Sequence, residues 1–374
     1  MVAPSELASI ADQAREVGRG WSGPDADPSW TLVATLFESV AADDHLLRLA
    51  AEIPADRLPA LLFVASIQRV VADHRSDALA EYYPGPEQRP VDGAFAATLR
   101  RFVIEHADAI RGWFGRRYQM NEVGRCAQIA LAVGILQRQT PAPRMAFIDV
   151  GTGSGLGLHF DRYHVDLGAG RSFGPPDSPV QLQCTVRGRP PMPPGAPDVA
   201  MRIGIDAAPI DLDDADARAW LAACTPPTMD AQRRLAGAID VTRAEATPIV
   251  AGDGPIAVAE AIAAVPDDLL VVVADSYTAV FFDDAGRGEL GAAIADSRRD
   301  AVWISLDPLV PLGTAADRSA QSLPVNPELV ERNRTGGVFA VLSMTGSVGG
   351  VHVDRVLATA HPSGMRMTWL DGED

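Results

Sequence analysis

The sequence predicts an α/β fold, a mostly parallel sheet with helices on both faces that follows an N-terminal helical region. Three observations predict it. In residues 145–160, MAFIDVGTGSGLGLHF, an apolar run through Phe147, Ile148 and Val150 meets Gly151, Gly153 and Gly155, and Leu156, Leu158 and Phe160 restart the apolar pattern. That order reads as a buried strand, a tight glycine turn and the start of a helix. Apolar runs at 200–206, 269–274 and 301–306 then end at or beside an acid and alternate with helical segments. Nothing before residue 141 alternates like a strand.

Composition narrows the function classes. The chain has 374 residues, enough for two domains, with 47% hydrophobic and 22% charged residues, as in ordinary globular proteins. Its net charge is −17 and every basic side chain is Arg. Such a chain is repelled by phosphate backbones, so no nucleic-acid partner is expected, and without Lys there is no Schiff-base chemistry. No apolar run approaches a membrane span and no basic-then-apolar leader opens the sequence, so no membrane is expected and the cytoplasm is the expected compartment. Cys126, Cys184 and Cys224 are odd in number and far apart, which suits buried thiols better than disulfides or a metal cluster.

In chain order, residues 1–140 read as a helical domain. Helical spacing recurs at 46–53, 58–71 and 95–114, and residues 121–137 form a helix expected to abut the sheet. Residues 141–374 read as the sheet domain, with a β-hairpin insertion at 160–200. Its two arms are the alternating segments 162–167 and 180–186, separated by a Gly/Pro/Ser-rich stretch. Strand two falls at 200–206. Helices are expected at 235–241, 256–265 and 288–297, with a further strand at 248–250. An antiparallel pair at 337–344 and 352–360 ends the chain.

Asp149-Val150-Gly151-Thr152-Gly153-Ser154-Gly155 is an acid before G-x-G-x-G, whereas dinucleotide folds run G-x-G-x-x-G. It resembles the first motif of class I S-adenosylmethionine-dependent methyltransferases. The resemblance implies a Rossmann-like methyltransferase sheet and S-adenosylmethionine as cofactor, with Gly151, Gly153 and Gly155 passing under its methionine part. It also implies that Asp149 orients the loop or the amino group. An acid ending strand two accepts the ribose hydroxyls in adenosyl-binding α/β folds; Asp206 is preferred over Asp166, because it ends an apolar strand and a helix follows. Asp253 would meet the adenine amino group. Asp275, Ser276 and Tyr277 follow strand four, where such enzymes keep acceptor-side groups.

The chain also resembles a conserved bacterial family, common in actinobacteria, that is labelled only as a domain of unknown function. The matching residues are Asn121-Glu122-Val123-Gly124-Arg125-Cys126, Asp161-Arg162-Tyr163 after the glycine loop, Gly204-Ile205-Asp206 with Pro209, His361-Pro362 and Trp369. The family's loop runs closer to G-A-S-A-G-L-N-L, so the present loop lies nearer to ordinary methyltransferases.

Candidate roles follow. Asp275, Tyr277 and His159 are the catalytic candidates, and Asn121, Glu122, Arg125 and Tyr163 the candidates for lining a substrate cleft. Against this, Asn121 and Glu122 also suit an N-cap and a solvated first turn. No H-E-x-x-H, C-x-x-C or Walker loop occurs, so no metal is expected. Two functions stay open. One is a methyltransferase-like enzyme acting on a small metabolite, alone or as a homodimer. The other is a pseudo-methyltransferase that has lost the cofactor and serves as a subunit of a heteromeric biosynthetic complex.

Overall fold

The computed structural model describes residues 3–22, 26–139, 144–245, 247–252, 254–297, 300–309, 323, 325–335 and 337–370. They fall into two compact units. One holds the residues up to Asn121 together with Asp213–Arg233, and the other begins at Glu122.

The first unit is built from α1 (Pro4–Gly20), α2 (Thr31–Ala42), α3 (Asp44–Ala50), α4 (Pro59–Asp73), α5 (Phe95–Glu105) and α6 (Ala107–Arg111). Pro59 opens α4 where a missing N–H costs nothing, and Leu62, Phe63, Ile67 and Val70 give it one fully buried stripe. The single helix expected over 95–114 is divided, because His106 leaves helical φ/ψ and packs its ring on Phe102 at 4.4 Å. α7 (Cys126–Gln139) belongs to the second unit, whereas α8 (Ala215–Cys224) returns to the first. There Trp220 stacks on Trp113 at 5.4 Å and donates to the Arg117 carbonyl, while Gln68 donates to Ala223 O at 2.7 Å.

The second unit carries the sheets. Its strands are β1 (Met145–Val150), β2 (His164–Asp166), β3 (Ser172–Phe173), β4 (Gln181–Gln183), β5 (Thr185–Arg187), β6 (Val199–Asp206), β7 (Ile249–Ala251), β8 (Leu270–Ser276), β9 (Ala301–Pro308), β10 (Ala340–Val348), β11 (Val351–His352), β12 (Arg355–Ala360) and β13 (Arg366–Trp369). α9 (Met229–Ala244), which belongs to this unit from Arg234 onward, α10 (Gly254–Ala264), α11 (Asp284–Ala295) and α12 (Pro327–Arg334) alternate with them. The large sheet has ten strands in the order β5-β13-β12-β10-β9-β8-β1-β6-β7, with β11 on β10. The block from β7 to β9 is parallel throughout. From β1 the chain moves outward to β6 and β7, then crosses back to β8, so the topological switch lies between β1 and β8. Ala146, Ile148 and Val150 pack on α10 and α11, with Val271, Val273 and Trp303 beside them. Phe147 points the other way, where its ring meets Phe160 at 4.6 Å.

Three expectations need correction. The insertion is a three-stranded sheet, order β3-β2-β4, and not a simple hairpin. β2 is antiparallel to β3 across a turn of left-handed Gly168, Ala169 and Gly170, and β4 then lies parallel to β2. Alternation identified the arms but could not choose their orientation. β5 leaves this small sheet to form the edge of the large one, parallel to β13.

Second, no α-helix follows the glycine turn; residues Leu156–Arg162 form a 3-10 segment with a kink at His159. Side chains take the carbonyls an α-helix would need. Tyr163 Oη donates to Leu156 O at 2.7 Å, and Arg202 donates to Leu158 O at 2.8 Å. Third, the terminal pair β10–β12 is antiparallel as expected, but β13 and β5 extend it, which makes the sheet mixed.

α7 is locked to the last turn of the chain. Gly364 is left-handed, and a Cβ on it would run into the Gly124 backbone; a Cβ on Gly124 would meet the Ser363 carbonyl. Gly364→Ala is therefore expected to destabilise the protein by at least about 2 kcal/mol, read as a lower urea midpoint at unchanged m-value.

Candidate active site

The glycine loop closes the carboxyl end of β1. Gly151, Gly153 and Gly155 all have positive φ (+73°, +60° and +82°), so the turn itself requires each of them. Gly151 N and Thr152 N donate to Ile205 O, and Gly153 N donates to Asp206 Oδ2 at 2.7 Å. Asp206 Oδ1 accepts from Ala208 N at 2.8 Å. Asp206 thus ends β6 beside the loop, as preferred from sequence, and already ties that loop down. Asp166 lies in the small sheet and caps its turn through Gly168 N. A Cβ on Gly151 would collide with Thr278, and one on Gly155 would reach Ile249 Cδ1 at 3.2 Å, so protein atoms hold both approaches.

Acids gather on the adjoining strand ends. Asp149 accepts from Thr152 Oγ1 at 2.7 Å, and Gly157 leaves room for its carboxylate, since a Cβ there would lie 2.6 Å from Oδ2. Burial pushes Asp149 up to about 7, the Thr152 bond opposes this, and the Asp275 and Asp206 charges add to it. Asp275 and Asp307 are both fully buried and hydrogen-bonded to each other. Burial raises Asp307 well above the carboxylate range, and the Asp275 charge and bond raise it further, which makes Asp307 the protonated partner. Asp275 also accepts from Trp303 Nε1 at 2.6 Å, and Ala279 N and Val280 N of the following turn face the pair.

Tyr277 stands just past β8 in the left-handed region (φ +59°), a conformation costly for a bulky residue. Its backbone N–H is held by Leu306 O, and the Arg125 guanidinium lies over its ring, 4.0 Å from the centroid. Burial raises the phenol, Arg125 opposes the rise and Asp307 adds to it. Tyr277 Oη and Ser276 Oγ are buried without a hydrogen-bond partner among the described residues.

The block around Glu122 reaches this edge through Arg125. Arg125 Nε donates to Pro362 O at 2.8 Å, and Gln128 Nε2 contacts the carbonyls of His361 and Arg366. Glu122 Oε1 caps its own turn through Gly124 N at 2.9 Å and pairs with Arg234 at 3.1 Å, both side chains buried. So the Glu-Val-Gly-Arg block and the His361-Pro362 segment, far apart in sequence, meet in space. Asn121 falls in the helical unit.

Two candidates are engaged elsewhere. Tyr163 is buried and spends its hydroxyl on Leu156 O. His159 is fully buried beside Thr247 at 3.3 Å and Glu245 at 3.9 Å; burial and Arg202 lower its pKa, with Glu245 and Asp161 opposing. It joins a structural network with Asp161–Arg202 at 2.9 Å and Arg162–Glu245 at 3.1 Å, not the Asp275 group. Asp253 lies outside the described residues. Sequence reading missed Trp303, Arg234 and Thr278 as partners. A signal existed for Trp303: period-two spacing puts Trp303, Ser305 and Asp307 on one face of β9, as it puts Val271, Val273 and Asp275 on one face of β8.

Residues 24–369 match the model of the family described as "Uncharacterized protein conserved in bacteria (DUF2332)". The chain belongs to this family. No curated protein and no solved structure matches the chain. For this DUF2332 member, no helix among the described residues is long and apolar enough to cross a membrane.

The raised Asp149 sets a pH signature. A carboxyl raised in the folded state contributes fully below its ordinary value of 3.8, and that contribution is lost as pH rises to about 7. Asp149→Asn keeps an acceptor for Thr152 and removes the titration. Its stability relative to wild type is expected to grow between pH 4 and pH 7.5, by on the order of 1–3 kcal/mol, in urea unfolding followed across that range.

Proposed function

We propose that this DUF2332 protein is a methyltransferase-type enzyme that binds S-adenosylmethionine at the β1–β8 switch and acts on a small metabolite. The observation that carries the reading is the switch itself, where the glycine loop is flanked by Asp149, Asp206 and Asp275 on three adjacent strand ends. Open α/β sheets bind ligands in the crevice beyond such strand ends. Carboxylates there suit hydroxyls and a cationic sulfonium and would repel a bare phosphate. Ser276 Oγ and Tyr277 Oη, buried without partners among the described residues at the same edge, are the groups a ligand would satisfy, so the residues fit the cofactor.

When bound, the cofactor supplies an electrophilic methyl group. The chain's own residues would supply position and proton control. Asp149 would take the charged form beside a cation, and Asp206 would accept from ribose hydroxyls with the lone pairs not used by Gly153 and Ala208. Asp275, held in place by Trp303 and Asp307, would present its carboxyl at the reacting edge. Tyr277, fixed by Arg125, would orient the acceptor.

A second reading rests on one observation. The Gly153–Asp206 bond and the Thr278 side chain against Gly151 make the loop self-supporting. That favours a pseudo-methyltransferase acting as a subunit beside another protein. Calorimetric titration with S-adenosylmethionine and its demethylated product separates the two. Under the enzyme reading wild type binds, Asp206→Ala loses about 1–3 kcal/mol of affinity, and Asp166→Ala keeps it. Absence of binding at millimolar ligand hands the protein to the subunit reading.

A further inference from the structure

The helical unit holds a second group of chemistry-bearing side chains that the reading above does not use. Asp77, Glu105 and His106 bring one ligand atom each to within 4.8 Å of one another. They arrive from two places. Glu105 is the last residue of α5 and His106 its C-cap, while Asp77 sits in the turn after α4. We propose that these three residues form a divalent-metal site of zinc type between the carboxyl ends of α4 and α5.

Donor chemistry and geometry support the assignment. One imidazole and two carboxylates make a mixed nitrogen–oxygen set that favours borderline divalent ions, with water completing the coordination. Ligands about 2.0–2.2 Å from a shared ion stand roughly 3–4 Å apart, and the three groups, within 4.8 Å of one another, need only small side-chain shifts to close on one. Asp77 Oδ1 accepts from Leu79 N at 2.7 Å, which fixes the carboxyl and leaves Oδ2 for the ion. His106 is held by its ring contacts, with Phe102 at 4.4 Å and His74 at 4.2 Å. His74 Nδ1 lies 2.9 Å from Val70 O; a carbonyl only accepts, so Nδ1 carries the proton and that ring is itself oriented.

The location adds a field. α4 and α5 end here while His106 also N-caps the short α6, so the helix-end charges offset one another in part and the two carboxylates supply the negative charge. A cation relieves that repulsion and ties the two helix ends together. No sequence motif announces the site, because its ligands come from two separate helix ends.

The test uses the full chain stripped with a chelator and then titrated with zinc sulfate against a chromophoric zinc indicator, with thermal unfolding in parallel. Wild type is expected to take up one equivalent at micromolar zinc and to melt higher with it. His106→Ala should weaken uptake at least tenfold and abolish the thermal shift, and Asp77→Asn and Glu105→Gln should each weaken it severalfold. His45→Ala, at an exposed position of α3, should behave as wild type. Circular dichroism and the zinc-free melting point establish that each variant is folded. Wild type taking up no stoichiometric zinc at 100 micromolar (about a hundred times a micromolar Kd), or uptake unchanged in folded His106→Ala, would overturn the proposal.

Discussion

Two carboxyl groups are buried on neighbouring strands at the centre of the sheet, and that constraint governs the carboxyl edge. Burial and the neighbouring Asp275 hold the Asp307 carboxyl well above the usual carboxylate range. Each remaining lone pair needs a donor. Trp303 reaches across from β9 for this reason, and the turn after β8 points Ala279 N and Val280 N at the pair. Tyr277 accepts a left-handed backbone at the entry to that turn, with Arg125 stacked on its ring as support. Arg125 in turn is held by Pro362, which ties the last turn of the chain to the same edge.

On the other side of β1 a further, partly buried carboxylate does comparable work. Asp206 holds Gly153 N and Ala208 N, so the loop after β1 is closed by the end of β6. The loop and its acid are therefore one device. This is why the loop can stand without the α-helix that usually follows such a turn: Tyr163 and Arg202 cap its carbonyls instead. The Asp-Arg-Tyr block near it thereby has a structural account, through Asp161–Arg202, Arg162–Glu245 and the Tyr163 hydroxyl. The Glu122 block has one as well, in the buried pair with Arg234 and the contact with Pro362.

The amino-acid sequence by itself determined the positions of β1, β6, β8 and β9, because period and apolarity are local properties that a run such as Leu270–Ser276 carries whole. It determined the glycines of the loop for the same kind of reason, since only Gly adopts φ near +73° at little cost. It also marked the acids that end the strands. Only the tertiary structure decided what those acids do. Whether Asp307 keeps its proton depends on burial and on a neighbour 32 positions earlier in the chain (307 minus 275), neither of which a local pattern encodes. Alternation named the arms of the insertion but not their direction, which long-range pairing with β13 and the Gly168–Gly170 turn fixed. His159 and Tyr163 looked available in the sequence and are core residues in the fold, because solvent access is set by what packs on a residue from elsewhere.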